Sequence, residues 1–256
     1  MTQTSLSLTV IGSGTGVPLP HRSSPAYLLE AGGGQWLVDC GSGTLRRLVE
    51  MGRDYRELDG VLASHIHLDH IGDLPPLMHA LKVATFLEGP RDKPFLLSGP
   101  KDFLAWYHDC VATMVPPGEM DLPEQEVPAA FDLANLRVQS APTIHSSRIQ
   151  SVGYRFESDS STLVFSGDAD YDESLAKFAH GAEVLIIDCS FPDALKINGH
   201  LSAGECGRVA AEAGVKRLVL SHLYPVPEGQ ETRVAEAQAQ CECPVELARD
   251  GLAITL

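Results

Sequence analysis

The stretch Ser64-His65-Ile66-His67-Leu68-Asp69-His70-Ile71-Gly72-Asp73 places four potential metal ligands, His65, His67, Asp69 and His70, within six positions. A packing histidine has no reason to recur so densely. The stretch grows out of Val61-Leu62-Ala63-Ser64, a short apolar run that predicts a buried strand, so the cluster sits at a strand's C-terminal end. Alternation beyond that strand lets His65 and His67 aim at one centre while Asp69 and His70 turn toward a neighbouring one. Neutral imidazoles and carboxylates suit zinc first, with manganese or iron admitted by oxygen-richer sites. Open coordination positions would hold a water or hydroxide between two dications, its pKa lowered from about 15.7 toward roughly 7.

On the N-terminal side the pattern reads strand, loop, strand, strand. Leu6 to Ile11 alternates, Gly12 to Pro20 is Gly/Pro-rich, and Ala26 to Glu30 and Gln35 to Asp39 flank a turn at Gly32-Gly33-Gly34, which predicts an antiparallel meander. Helical spacing follows at Leu45, Leu48 and Val49, at Leu77 and Leu81, and from Asp102 to Val115. Further on, strands are predicted near Leu136–Ser140, Gly153–Glu157, Leu163–Ser166, Val184–Ile187 and Arg217–Ser221. Helices are predicted near Ala203–Ala213 and Glu228–Ala239, with short strands at the end. Two sheet-rich halves with helices for their outer faces suggest an α/β protein built as a four-layer αββα sandwich. No linker, repeat or charge run divides residues 1–256, which read as one domain.

Composition narrows the function classes. The 19 basic and 34 acidic residues leave a net charge of −15, a poor basis for coating nucleic acid, although a metal can still hold one phosphate. The stretch Met1-Thr2-Gln3-Thr4-Ser5 lacks a signal peptide's positive flank, and no apolar run approaches the roughly 20 residues of a membrane span. A cytoplasmic protein without membrane contact is expected. Cys40, Cys110, Cys189, Cys206, Cys241 and Cys243 follow no disulfide framework and read as free thiols; Cys241-x-Cys243 has no second pair to complete a metal site.

The His65-x-His67-x-Asp69-His70 pattern resembles the signature of the metallo-β-lactamase-fold hydrolases. His145 in Thr143-Ile144-His145-Ser146, Asp168 in Phe165-Ser166-Gly167-Asp168 and His222 in Leu220-Ser221-His222 fit the same likeness, each just beyond an apolar strand. The resemblance implies one metal held by His65, His67 and His145, a second held by Asp69, His70 and His222, and Asp168 bridging them. Asp69 is also expected to orient the attacking water.

Within that superfamily, Thr9-Val10-Ile11-Gly12-Ser13-Gly14-Thr15-Gly16-Val17-Pro18, Arg22-Ser23-Ser24 and Val38-Asp39-Cys40-Gly41-Ser42-Gly43-Thr44 are similar to the ribonuclease Z group, the tRNA 3′-processing endonucleases, and its phosphodiesterase relatives. Asn198-Gly199-His200-Leu201-Ser202-Ala203, after Asp188-Cys189-Ser190-Phe191, looks like that group's paired acid and histidine. The likeness makes His200 the proton donor to the leaving group and Asp188 its orienting partner.

The departures bear on substrate. Little chain separates the strands at Gly153 and Leu163, so the long arm that grips tRNA is missing; Asp188 stands for the usual Glu, Leu68 for a frequent Gly, and Tyr224-Pro225 replaces a Ser/Arg-rich continuation. The expected substrate is therefore a small phosphodiester, with tRNA disfavoured and a homodimer left open. Rival readings are a lactone or carboxylic-ester hydrolase and a non-catalytic metal-binding or redox module. His21, near the glycine loop, is a candidate substrate contact, while His79, His108 and His180 read as surface residues.

Overall fold

The structure, a computed structural model, describes residues 6–228 and 230–256. One sheet contains β1 (Ser7–Gly12), β2 (Ala26–Ala31), β3 (Gly34–Cys40), β4 (Gly60–Leu62), β5 (Leu96–Pro100) and β6 (Glu124–Val127). The other contains β7 (Ala130–Leu133), β8 (Leu136–Pro142), β9 (Val152–Glu157), β10 (Thr162–Phe165), β11 (Val184–Asp188), β12 (Leu218–Ser221) and β13 (Val245–Leu247). The last strand, β14 (Ala253–Thr255), returns to the first sheet beside β1.

Both sheets repeat one pairing scheme. Pairing is antiparallel across β14-β1-β2-β3 and parallel across β3-β4-β5-β6. The second sheet is antiparallel across β7-β8-β9-β10 and parallel across β10-β11-β12-β13.

Period-two alternation sorts the side chains into layers. Leu8, Val10, Tyr27, Leu29, Trp36 and Val38 point into the space between the sheets, where they meet Val138, Tyr154, Phe156, Phe165, Ile186 and Val219. Their neighbours Ile11, Leu28 and Leu37 face outward onto Leu48, Leu74, Leu77 and Phe103 from the helices Thr44–Glu50, Leu74–Glu88 and Lys101–Trp106. On the opposite outer face Leu185, Ile187 and Leu220 meet Leu175, Val209 and Ala237 from the helices Glu173–Phe178, Ala203–Ala213 and Arg233–Gln238. The result is the four-layer αββα sandwich. No helix among the described residues is long and apolar enough to cross a membrane.

Several elements differ from the sequence expectation for physical reasons. The helix expected over Asp102–Val115 is interrupted by a wide π turn at Tyr107–Val111. Its buried residues Phe103, Tyr107, Val111 and Val115 recur every four positions, and a turn wider than 3.6 residues keeps them facing one core. The helix expected from Glu228 begins only at Arg233, since a glycine at 229 disfavours a helix interior; Gly229 itself lies outside the described residues. Strands β5, β6 and β7 carry no clear alternation in sequence. β9 and β10 are joined by a tight turn in which Ser158 and Ser161 hydrogen-bond each other, with no projecting arm.

Candidate metal centre

The C-terminal ends of the strands converge on one edge of the sandwich. β4 runs into Ser64 and His65, and a one-turn helix, Leu68–Ile71, then redirects Asp69 and His70. This helical turn separates the two ligand directions where the sequence suggested strand alternation. His145 follows β8, Asp168 follows β10, Asp188 ends β11 and His222 follows β12.

The geometry resolves into two adjoining groups. His65 Nε2 and His145 Nε2 lie 3.0 and 3.1 Å from His67 Nδ1. Asp168 Oδ2 is 3.8 Å from both His65 Nε2 and His145 Nε2. In the second group His70 Nε2 is 4.0 Å and His222 Nε2 3.6 Å from Asp69 Oδ2. Asp168 reaches this group too, with Oδ1 3.3 Å from His70 Nε2 and Oδ2 3.4 Å from His222 Nε2. It therefore stands between the groups.

The donors fit cations better than they fit one another. His70 Nε2 and His222 Nε2 are buried and have no hydrogen-bond partner of acceptable geometry, an expensive state for a polar atom. The spacing of the first three ring nitrogens approaches the edge of a tetrahedron of about 3.3 Å that follows from zinc–nitrogen bonds of about 2.05 Å.

Tautomers follow from the outer partners. Gly199 O can only accept, so His145 Nδ1 donates to it across 2.7 Å and Nε2 stays free. Ser64 Oγ donates to Asp39 Oδ2 at 2.9 Å and so accepts from His65 Nδ1 at 3.0 Å. His70 Nδ1 donates to Asp39 Oδ2 at 2.7 Å. Ser190 Oγ donates to Asp188 Oδ1 at 2.8 Å and accepts from His222 Nδ1 at 3.0 Å. In each of these four histidines Nδ1 is spoken for and Nε2 faces the centre.

"Beta-lactamase superfamily domain" is the family description that matches residues 35–223, most of the chain. The chain belongs to the beta-lactamase superfamily. It is 30% identical to a Ribonuclease Z of Mycobacterium bovis (strain BCG / Pasteur 1173P2), over 88% of this chain and 89% of that one. It is 32% identical to the "Probable metallo-hydrolase YhfI" of Bacillus subtilis (strain 168), over 96% of this chain and 98% of that one. The crystal structure of YhfI superposes with a TM-score of 0.87 at 27% identity, covering 98% of this chain and 100% of that chain. Human tRNase Z, short form, shares the fold with a TM-score of 0.76 at 22% identity, over 97% of this chain and 98% of that one. Fold, family and clustered ligands together make the protein a metal-dependent hydrolase of the metallo-β-lactamase fold with a His/Asp metal site.

Electrostatics in this superfamily member oppose burial with charge pairing. Burial works against charge on His222, but the nearby carboxylates of Asp168, Asp188 and Asp69 outweigh it and raise its pKa to about 10. His70 is raised for the same reason, by Asp168 and Asp39 against burial. His65 goes the other way, held well below its ordinary value by burial and by its neighbour His70. Burial also opposes ionisation of Asp168, yet His222 and His70 keep its carboxyl well below the usual range.

His200 adjoins the second group, clustered with Asp168, Asp188 and His222 and with its Nδ1 3.9 Å from Asp168 Oδ2. Its Nδ1 donates to Asp188 Oδ2 at 2.8 Å, and its ring stacks at 5.2 Å on that of His222. Burial lowers the His200 pKa, but the hydrogen bond and charge of Asp188 raise it above its ordinary value. Tyr224 closes this side: its ring is edge-on to His222 at 5.7 Å and to His200 at 6.1 Å, and stacked on Phe191 at 4.9 Å.

Two glycines let backbone close around the site. A Cβ at Gly41 would meet Asp69 O at 1.9 Å, and Gly199 adopts φ +90 while a Cβ there would meet His145 O at 2.7 Å. A cleft of about 380 Å³ opens beside Asp69 between Gly16, Pro18, Leu19, Arg22 and Leu68. His21 is exposed on the same loop.

The sequence reading assigned no role to Asp39, Ser64 or Ser190. Asp39 and His222 share a rare feature, a positive φ of 59 and 57 in non-glycine residues, which concentrates backbone strain at the site. The sequence signals for Asp39 are an acidic residue near the end of a largely apolar strand and its place in the Val38-Asp39-Cys40-Gly41 stretch. His79, His108 and His180 are exposed and away from the centre, and His108 pairs with Glu124 at 2.9 Å. The six cysteines form no disulfide; Cys241 and Cys243 hold their sulfurs 3.6 Å apart on the far helix layer.

Proposed function

We propose that the protein hydrolyses small phosphodiesters with two divalent metal ions, zinc first and manganese or iron as alternatives. His65, His67 and His145 would hold one ion and Asp69, His70 and His222 the other, with Asp168 shared. The bound ions supply Lewis acidity and a water acidified to a pKa of roughly 7. Asp69, accessible at the cleft, orients the nucleophile.

The observation that carries this reading is the His200–Asp188 pair, 2.8 Å apart and set directly against the donors Asp168 and His222. A proton donor beside the metals is what an alkoxide leaving group of a phosphodiester requires, and the hydrogen bond and charge of Asp188 favour the protonated form of His200. The relatives named Ribonuclease Z support phosphodiester chemistry. The absent arm, the charge of −15 and the exposed apolar Leu68, Ile144 and Ile197 around the ligands support a small substrate over tRNA.

A substrate panel on metal-loaded protein tests the proposal, with aryl phosphodiesters, cyclic nucleotides, precursor tRNA and lactones as members. Turnover of the small phosphodiesters is the expected result. Lactone hydrolysis without phosphodiester hydrolysis would transfer the protein to the carboxylic-ester reading.

A further inference from the structure

Tyr224 occupies a position that the metal donors and the proton donor leave unexplained. Its backbone is fixed from below by Arg233, a fully buried residue whose Nη2 donates to Tyr224 O at 2.6 Å and to Ser190 O at 2.7 Å. Burying a guanidinium is costly, and here Nη2 fastens the loop after β11 to the loop after β12 while Nη1 pairs with Glu231. The staple sets Phe191 and Tyr224 ring against ring, 16° from parallel. Tyr224 is thereby held edge-on to His200 and His222, 71° and 72° from their planes.

The phenol hydroxyl has no hydrogen-bond partner among the described residues, although the fields of Asp69, Asp168 and Asp188 all reach it. The Tyr224 ring stands 5.7 Å from that of His222 and 6.1 Å from that of His200, beside the donors. The neighbouring loop cations are already engaged: Arg22 Nη1 donates to Ser13 Oγ and Ala248 O at 2.6 Å each, and Lys196 pairs with Asp170 and Glu205 at 2.6 and 2.5 Å. A hydrolase centre needs donors aimed at the oxygen on which charge develops, and a held, unused hydroxyl beside the metals answers that need.

We infer that Tyr224 Oη donates a hydrogen bond to a non-bridging oxygen of the bound phosphoryl group and holds it as negative charge builds there. The inference rests on the phosphodiester reading for its catalytic part. Its binding part concerns any phosphate seated at the centre.

The test is Tyr224→Phe in the full chain loaded with metal, a change that keeps the ring and its stack on Phe191. Turnover should fall on the order of 10² to 10³, the typical cost of removing one such donor, with metal content unchanged. The loss should be equal for nitrophenolate and alkoxide leaving groups, because the oxygen served is not the one that departs. Inorganic phosphate, titrated calorimetrically, should bind about tenfold or more weakly, as expected for a lost hydrogen bond to a charged group. Unchanged phosphate affinity overturns the inference, and so does loss of bound metal, which would make Tyr224 a structural prop. A defect confined to alkoxide leaving groups also overturns it. If the unaltered protein hydrolyses no phosphodiester yet binds phosphate in a Tyr224-dependent way, the inference stands and only the phosphodiester reading fails.

Discussion

His70 Nδ1 donates to Asp39 Oδ2 across 2.7 Å, and the same carboxylate oxygen receives the hydroxyl of Ser64, which in turn holds His65. One buried acid thus fixes a histidine in each metal-binding group, from a strand 31 residues away from His70. Removing that acid should disturb both ions. Asp39→Asn is expected to weaken metal binding about 10- to 100-fold, the usual scale for losing an outer partner of a ligand, with the fold retained. Competition against a graded chelator, read by metal analysis, checks this; affinity equal to that of the unaltered chain would remove Asp39 from the site.

His200→Ala should keep its metals and lose on the order of 10² to 10⁴ in turnover. The loss is expected to shrink for bis(p-nitrophenyl) phosphate, whose acidic phenol departs unaided, and to be largest for alkoxide leaving groups. Rates across a series of leaving-group pKa values give the answer. A uniform deficit would make His200 a phosphate-binding residue.

Metal binding should release protons. With its pKa raised to about 10, His222 carries a proton at neutral pH in the metal-free chain, and a cation must displace it. Apparent affinity therefore rises with pH up to about 10. By the same linkage, the stability that charged His222 gives the metal-free fold is full below about 6.5 and is lost as pH climbs through about 10. Calorimetry in buffers of different ionisation enthalpy measures the proton count; a buffer-independent heat at pH 7 to 8 contradicts the prediction.

Precursor tRNA should be a poor substrate compared with small phosphodiesters. Docking a polyanion on a chain of net charge −15 needs a basic device, and the tight Ser158–Ser161 turn leaves none between β9 and β10. Efficient, site-specific removal of a 3′ trailer in a gel assay would defeat this expectation.

The donor residues were legible because their spacing is short or because each follows an apolar strand. β1 was legible from its alternation, and β2, β3 and β11 as apolar runs, since one face of each meets the opposite sheet and the other meets helices. β6 was not legible: Glu124-Gln125-Glu126 has no apolar face and is a strand only because β5 offers its edge. The outer partners were hidden for a related reason. Asp39 and Ser190 act through contacts with residues 31 and 32 positions away, which no local pattern encodes.

The closing segment of the chain does two jobs at opposite ends of its length. β14 covers the edge of β1, and just before it Asp250 receives Ser13 N, Ser13 Oγ and Ser23 N, tying down the glycine loop beside the metal centre. During synthesis the first strand and that loop emerge from the ribosome well before their fastener, which lies 237 positions further along the chain. The nascent chain must hold an uncovered strand edge and a loose active-site loop until residues 250–255 arrive. A product that stops short of Asp250 would have the metal motif complete but the wall of the site unmoored and the β1 edge uncovered, the kind of edge that invites aggregation.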